Sequence, residues 1–219
     1  MKVALFAKKD KPTIDQVITH LKKEFSEVAV FVGVLGDAFP VHFKDYESDL
    51  LISYISPWII PSEILAKTKK WNLNFHPGPP EYPGIGCFNF AIYDSAKEYG
   101  VTSHLMERKV DTGKIISVKR FPLLESYSVF DLSLKTYDVL FEIFLEVMDS
   151  VKRNQELPVC KESWKRNPYT RRDLEDLCSI EVYMKEKEIK RRIKATSYPN
   201  MPGAYIELFG YRFEYNSKR

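Results

Sequence analysis

The chain has 219 residues, which is enough for one domain with a substantial core and a small appendage. Hydrophobic residues make up 44% of the sequence and charged residues 29%, a balance that excludes disordered, collagen-like and membrane-embedded classes. The formal net charge of +3 is too small for an extended nucleic-acid-binding face. We therefore predict no nucleic-acid partner, while small anionic ligands stay open.

The N-terminus and the cysteines predict the cellular location. The opening MKVALFAKKD is too short an apolar run for the central region of a signal peptide, and no stretch approaches the roughly 20 apolar residues of a membrane span. Cys87, Cys160 and Cys178 are odd in number and lack the spacing of a metal site. We expect reduced thiols in a cytoplasmic protein, with no metal and no membrane partner.

The first half of the chain alternates between strand and helix patterns. Apolar or β-branched runs predict strands, whereas helical spacing or a leading proline predicts helices. The predicted strands are 2–7, 28–35, 49–55 and 71–75, and the predicted helices are 14–25 and 61–69. Such alternation indicates an α/β fold with a mostly parallel sheet and helices on both faces.

The pattern changes in the second half. We predict a helix at 89–99 with Gly100 as its C-cap, then strands at 101–108 and 114–121 whose short connection makes them antiparallel. The remaining predicted elements are a long helix at 130–151, an irregular connector at 153–178, a charged helix at 181–195 and two β-like runs within 198–215. We expect a main domain at 1–178 and a C-terminal helix and β-hairpin appendage at 179–219.

Two polar residues lie at the end of the fourth predicted strand. Side chains alternate along a strand, so Asn74 and His76 point to one face while Leu73 and Phe75 point to the other. Ligands of open α/β sheets bind at the carboxyl ends of strands, where the following loops separate. The run Pro77-Gly78-Pro79-Pro80 makes the chain rigid as it leaves this strand, as a preorganised site requires.

A third partner is Asp111, in the VDTGK connection between the two antiparallel strands. A carboxylate holds an imidazole in one protonation state, and an amide beside it donates to a developing oxyanion. This set suits acyl transfer, and because none of its members is a nucleophile, the attacking group must be a substrate amine. A simple Asx turn at Asp111 is the alternative. We expect His104 to be a hydrogen-bonded core or edge histidine, and His20 and His42 to lie at the surface.

The block NFHPGPPEYPGIG at 74–86 and the stretch GVTSHLMERKVDTGKII at 100–116 resemble a known family. They look like the catalytic core of the N10-formyltetrahydrofolate-dependent formyltransferases, which carry an Asn-x-His-Pro motif and a later Asp-Thr-Gly loop. The resemblance covers about residues 1–125 and implies a Rossmann-like sheet. It also implies that Asn74, His76 and Asp111 are catalytic and that the formyl group passes directly to an amine, without a covalent enzyme intermediate.

The resemblance also implies where the folate co-substrate binds. The segment ISPWIIP would wrap the pterin ring, and backbone near the Asp-Thr-Gly loop would close the other side. The implied residues are Ser56, Pro57, Trp58, Ile59, Ile60, Val110 and Asp111. From the residues alone, an apolar run before a helix is usually core, so both interpretations stay open.

Within the family, the Gly-Pro-Pro-Glu-Tyr form is similar to sugar N-formyltransferases that act on nucleotide-linked amino sugars. Lysines after the first strand are expected to contact a pyrophosphate, although ordinary solvated lysines would give the same pattern. The candidate substrate-binding residues are Lys8, Lys9, Gly78, Pro79, Tyr82, Phe88, Asn89 and Tyr93. The tail at 190–215 resembles only the opening of the barrel of the methionyl-tRNA enzymes, so tRNA is not expected as a substrate.

The expected reaction is formyl transfer from N10-formyltetrahydrofolate to a dTDP-linked amino-dideoxy sugar, such as dTDP-4-amino-4,6-dideoxyglucose. The product would serve surface polysaccharide synthesis, for example of lipopolysaccharide O-antigen. Formylation of another small amine such as glycinamide ribonucleotide is an alternative, although residues 8–12 (KKDKP) are not the glycine-rich phosphate loop of that enzyme. A second alternative is that the protein is a non-catalytic nucleotide-binding module. We expect any homodimer contact in the region after Glu181.

Overall fold

A computed structural model describes residues 1–41, 46–154 and 156–216, so His42 lies outside the described residues. Its main sheet has six strands in the order β2-β1-β3-β4-β5-β6. The strands are β1 Lys2–Lys8, β2 Glu27–Gly33, β3 Leu50–Tyr54, β4 Trp71–His76, β5 Glu98–Leu105 and β6 Ile115–Pro122. The first four pair in parallel, and β5 and β6 add antiparallel. The predicted mostly parallel α/β sheet is therefore confirmed.

Helices cover both faces of this sheet. They are α1 Ile14–Glu24, α2 Ser62–Leu65, α3 Cys87–Tyr93, α4 Val129–Asn154, α5 Arg171–Cys178 and α6 Glu186–Thr196. Along α4 the buried residues Leu132, Leu140, Phe144 and Met148 recur at intervals of four or eight, so they form one apolar face. Within the described residues, no helix is long and apolar enough to cross a bilayer.

The central strands are apolar on both sides because each side has its own core. Leu5, Ile52 and Leu73 occupy matching positions on β1, β3 and β4, and they join the larger core with α1 and α4. Ala4, Phe6 and Leu51 join a smaller core with α2 on the opposite face. Buried parallel strands read as continuous apolar runs for this reason.

The predicted helix at 89–99 is wrong over its second half. Helix α3 ends at Tyr93, and β5 begins at Glu98. Ser95 takes a left-handed φ of 54° that breaks the helix, and Gly100 pairs with Arg120 inside the sheet instead of capping a helix. A Cβ on Gly100 would lie 2.6 Å from the Lys119 carbonyl oxygen, so close approach of β6 explains this glycine.

The predicted irregular connector at 153–178 also contains a helix. Thr170 and Asp173 form a reciprocal capping box that begins α5, which then continues to Cys178. Only Leu177 of this short helix is buried, so the apolar periodicity that usually identifies a helix is almost absent.

The C-terminal segment has the predicted hairpin, with β7 Tyr205–Leu208 antiparallel to β8 Tyr211–Glu214. It joins the preceding chain through a hydrogen bond from the Ile180 N–H to the Tyr205 carbonyl oxygen. Helix α6 packs on α3, where Asn89 donates to the Ala195 carbonyl oxygen. The division at residue 178 stays a prediction.

Candidate functional site

The candidate site begins with two polar residues on β4. Asn74 pairs with His104 across the antiparallel β4–β5 ladder, and His76 pairs with Thr102. Leu73 and Phe75 point to the opposite face and join the larger core. The alternation predicted from the sequence thus separates core residues from site residues along one strand.

The structure brings the predicted partner Asp111 to these two residues. The Asn74 amide nitrogen lies 3.2 Å from Asp111 Oδ1, and His76 Nδ1 lies 3.2 Å from Asp111 Oδ2. The Gly84 backbone N–H donates to the same Oδ2 at 2.8 Å. Asp111 is only 4% exposed, so its charge is compensated by protein groups rather than by bulk water.

Neighbouring donors keep this buried carboxylate ionised. Burial by itself raises the pKa of Asp111, but the charge of His76, the hydrogen bond from His104 and the Gly84 N–H outweigh it. The net effect is a pKa well below the ordinary aspartate value. A carboxylate that stays negative at neutral pH can hold a protonated imidazole beside it.

Both nitrogens of His76 face acceptors. Nδ1 faces the Asp111 carboxylate, and Nε2 lies 3.0 Å from the Tyr82 carbonyl oxygen. A neutral imidazole donates from only one nitrogen, whereas an imidazolium donates from both. The surroundings of His76 therefore accommodate its charged form, as a site that stabilises negative charge requires.

His104 is a site member that the sequence interpretation missed. It is buried, as expected, and its Nδ1 donates to the Leu105 carbonyl oxygen at 2.7 Å. Its Nε2, however, lies 2.9 Å from the Asn74 amide nitrogen and 3.2 Å from Asp111 Oδ1. The antiparallel pairing was predictable, but the register that sets His104 opposite Asn74 depends on where β5 begins.

The loop at 77–86, which we call the proline-rich loop, closes around the His76 imidazole. A Cβ on Gly78 would lie 2.6 Å from His76 Nε2, so only glycine fits there without moving the ring. Thr102 Oγ1 and the Tyr99 hydroxyl donate to the carbonyl oxygens of Gly78 and Pro77, and they fix the loop on β5. Gly78, Pro79 and Tyr82 are buried here, and the predicted substrate contacts of these three remain predictions.

The segment predicted to bind the pterin ring divides into core and exposed residues. Trp58 covers Gly33 and donates through Nε1 to the carbonyl oxygens of Asp37 and Ala38. Ile60 is 7% exposed and belongs to the smaller core, and its predicted contact with the pterin ring remains a prediction. Ile59 is 72% exposed and, with the exposed Val110, is free to contact a ligand. Ser56 and Pro57 are half-buried, and Ser56 Oγ accepts from the Trp58 N–H.

Most of the remaining candidates contact protein. Tyr93 donates to Glu188 and lies under the Arg191 guanidinium, and Asn89 contacts α6, so their polar groups hold two helices together. Phe88 packs against Tyr99 and Tyr137. Their predicted substrate contacts remain predictions.

Two lysines near the end of β1 are better placed for an anion. Lys8 and Lys11 are half-buried, and within the described part of the chain neither ammonium group forms an ion pair with a carboxylate. Burial lowers the pKa of both lysines, and the charge of Lys11 lowers that of Lys8 further. Lys9 is exposed. Among the described residues, no group of three or more His, Cys, Asp and Glu side chains could hold a metal ion.

Fold and site together define an α/β protein in which an amide, two imidazoles and a carboxylate meet beside a proline-rich loop. The chain belongs to the formyl transferase family, whose sequence model matches residues 37–148, just over half of the chain. This confirms the family predicted from the Asn-x-His-Pro and Asp-Thr-Gly motifs.

Curated relatives include two kinds of formyltransferase. GDP-perosamine N-formyltransferase of Brucella melitensis is 27% identical over 167 residues, which cover 76% of this chain and 63% of the relative. Methionyl-tRNA formyltransferase of Lactobacillus johnsonii is 30% identical over 173 residues, which cover 77% of this chain and 53% of the relative. The chain thus spans less than two thirds of the length of these relatives.

Solved structures share the fold at low sequence identity. A sugar N-formyltransferase from a Shewanella species aligns with a TM-score of 0.77 at 18% identity, over 98% of this chain and 96% of that one. An N-formyltransferase from Helicobacter canadensis, in complex with folinic acid and dTDP-3-aminofucose, aligns with a TM-score of 0.72 at 19% identity, over 96% of this chain and 85% of that one.

Proposed function

We propose that the protein transfers the formyl group of N10-formyltetrahydrofolate to the amine of a dTDP-linked amino-dideoxy sugar, such as dTDP-4-amino-4,6-dideoxyglucose. The convergence of Asn74 and His76 on the buried, ionised Asp111 carries this proposal. It is supported by the family, by the sugar N-formyltransferases that share the fold over nearly their whole length, and by the GDP-perosamine enzyme among the relatives.

The proposed reaction has two steps, addition of the sugar amine to the formyl carbon and elimination of tetrahydrofolate, and each site residue has a role in them. The unprotonated sugar amine attacks the formyl carbon, and negative charge develops on the formyl oxygen. Protonated His76 and the Asn74 amide donate to that oxygen, while Asp111 orients and balances the imidazolium and helps take the proton that the attacking amine loses. When the intermediate collapses, the bond between the formyl carbon and N10 breaks, and tetrahydrofolate leaves with a proton on that nitrogen. Because His76 Nε2 faces the Tyr82 carbonyl oxygen in the structure, the substrate oxygen has to take over this donor.

Each substrate has a candidate surface. The exposed Ile59 and Val110 offer apolar contacts to the pterin ring. Lys8 and Lys11 offer half-buried positive charge, without a carboxylate partner in the described residues, to the pyrophosphate of a nucleotide sugar. Apolar contact and positive charge are the complementary chemistry that a pterin and a pyrophosphate need.

The proposed setting is the cytoplasm, where the product would enter surface polysaccharide synthesis such as that of O-antigen. All three cysteines are free, which is consistent with a reducing compartment. We also propose a homodimer through the β7–β8 hairpin. Phe209 on its turn is fully exposed and Phe213 on β8 is 58% exposed, and an isolated two-stranded hairpin gains stability when such a face is covered.

A substrate panel tests the reaction. The protein is incubated with N10-formyltetrahydrofolate and, in turn, dTDP-, UDP- and GDP-linked amino sugars and glycinamide ribonucleotide, while formation of tetrahydrofolate is followed. We expect turnover with a dTDP-linked amino sugar. Turnover with glycinamide ribonucleotide alone would contradict the substrate class, and thermal stabilisation by nucleotide sugars without turnover with any amine would make the protein a nucleotide-binding module.

A further inference from the structure

The segment at 157–170 lies across the proline-rich loop rather than only passing over the surface. The Lys165 N–H donates to the Pro80 carbonyl oxygen at 3.0 Å. The Tyr169 N–H donates to the Pro83 carbonyl oxygen, and the Ile85 N–H donates back to the Tyr169 carbonyl oxygen, both at 2.9 Å. These backbone bonds fix this segment, which we call the strap, against the loop that encloses His76.

The strap places one large side chain directly on the site. The half-buried Trp164 ring meets the His104 ring edge-on, with ring centroids 5.1 Å apart, and meets the His76 ring in the same way at 6.0 Å. Its indole Nε1 donates to the Gly113 carbonyl oxygen at 2.8 Å. One residue thus contacts both imidazoles and the turn that carries Asp111.

The turn that carries Asp111 has contacts both within it and outside it. Asp111 has a left-handed φ of 48°, a conformation that is uncommon for residues other than glycine, although aspartate adopts it more readily than most. Thr112 Oγ1 donates to the Lys109 carbonyl oxygen inside the turn, and the Trp164 indole donates to the Gly113 carbonyl oxygen from outside it. Gly113 lies so close to β5 that a Cβ would be 1.9 Å from the Leu105 carbonyl oxygen.

We propose that Trp164 is a positioning residue of this site. Its indole holds the Asp-Thr-Gly turn so that the Asp111 carboxylate meets His76 and His104, and its ring covers both imidazoles against water. Trp164 does not touch the reacting atoms in this account. Its effect on turnover rests on the proposed formyl transfer, whereas its effect on the histidine rings does not.

Two variants separate the two contributions of the indole. Trp164→Phe keeps an aromatic cover and removes the donor to Gly113, and Trp164→Leu removes both. Trp71→Phe is the matched control, since Trp71 begins β4 at the end opposite the site and lies beside Lys70. All are made in the full chain, and folding is checked by circular dichroism.

The first measurement needs no substrate. In protein labelled with 15N-histidine, we expect the ring N–H protons of His76 and His104 to exchange with water on the order of 10-fold faster in Trp164→Leu, with a smaller increase in Trp164→Phe. A tryptophan that only packs the strap would lower the unfolding temperature and leave this exchange unchanged.

The second measurement is turnover with saturating substrates. We expect kcat to fall on the order of 10-fold in both Trp164 variants, because small displacements of a positioned group are costly to the rate, and to stay unchanged in Trp71→Phe. Parent-like ring exchange in both folded Trp164 variants would overturn the proposal, as would equal effects in the control. If the parent shows no formyl transfer, the proposed function fails while the exchange experiment still decides the role of Trp164.

Discussion

Asp111 is the residue on which the site's hydrogen bonds converge, and its replacement is the most direct test of the proposed chemistry. Asp111→Asn keeps the size of the side chain but removes the charge that balances His76. Asn74→Ala removes a donor, and His76→Asn replaces the imidazole with an amide that cannot be protonated at neutral pH. We expect each variant to lose on the order of 100-fold or more in kcat. Asp138→Asn, on the exposed side of α4, should leave kcat unchanged, and near-parental rates in all three site variants would contradict the proposed roles.

The same carboxylate should make stability depend on pH. The pKa of Asp111 is lowered on folding, so its ionised form stabilises the protein above the ordinary aspartate pKa, and this contribution is lost as the pH falls toward the folded value. We expect the difference in free energy of unfolding between parent and Asp111→Asn to narrow as the pH falls below about 4, because the carboxylate of the unfolded parent is then protonated. Urea denaturation at several pH values measures it, and a difference that grows on acidification would contradict the assignment.

Gly78 allows an independent test of His76 placement. A methyl group at Gly78 would press on His76 Nε2 at 2.6 Å, whereas one at Gly203 would lie at an ordinary 3.4 Å from the Thr196 carbonyl oxygen. We therefore expect Gly78→Ala to lower kcat on the order of 10-fold or more, and Gly203→Ala to retain activity. Equal rates in the two variants would show that the ring position is not critical.

The sequence predicts site residues only where they are close together along the chain. Asn74 and His76 are two positions apart on one strand, so alternation alone places them together. His104 and Trp164 reach the same site through strand register and through a segment that crosses a distant loop, and neither leaves a periodic pattern.

Strand β6 holds two loops in place through one side chain. Arg120 donates from Nη1 and Nη2 to Glu81 in the proline-rich loop, from Nη2 to Glu162 in the strap at 2.6 Å, and from Nη1 to Glu98 on β5. The pKa of Arg120 is raised because these carboxylates outweigh its partial burial. The arginine therefore ties the loop around His76 to the segment that carries Trp164.

Adjacent side chains of β6 give a matched comparison. Lys119 points to the other face and pairs with Glu142 and Glu146 on the outer side of α4. We expect Arg120→Met to lower the free energy of unfolding by about 1–3 kcal/mol, because Arg120 bonds to Glu81 at two points and its partners Glu81 and Glu162 are partly buried. We expect Lys119→Met to lower it by less than about 1 kcal/mol, because the carboxylates that pair with Lys119 are exposed and exposed ion pairs contribute little. Chemical denaturation of both variants measures the difference, and a larger loss for Lys119→Met would contradict this account.

Elements with their own pattern were predictable, and those defined by their neighbours were not. The continuous apolar runs of β1 and β3 predict buried strands, and the apolar periodicity of α4 predicts a helix with one buried face. Residues 94–99 continue a helix-like composition, but a turn with a left-handed Ser95 ends the helix, and Glu98 and Tyr99 pair with β6. The sequence prediction therefore extends α3 too far.

The exposed β7–β8 hairpin predicts association of two copies of the protein. Phe213 and Tyr211 lie on β8, which is exposed along its length. If this face contacts a second copy, Tyr211→Glu combined with Phe213→Glu should convert a dimer to a monomer by placing charge in an apolar interface. Sedimentation velocity measures the change, with Val159→Glu at another exposed apolar position as the control. A parent protein that is monomeric at high concentration would exclude the contact.

The Tyr82 carbonyl oxygen competes with any incoming ligand for the N–H of His76 Nε2. A neutral formyl oxygen is no better an acceptor than this carbonyl, so the resting reactant gains little by displacing it. An oxygen that has become negative is a much stronger acceptor, and only then does the exchange become favourable. In the proposed reaction this charge disappears when the intermediate collapses, so the Tyr82 carbonyl oxygen can accept from His76 Nε2 again as the product leaves.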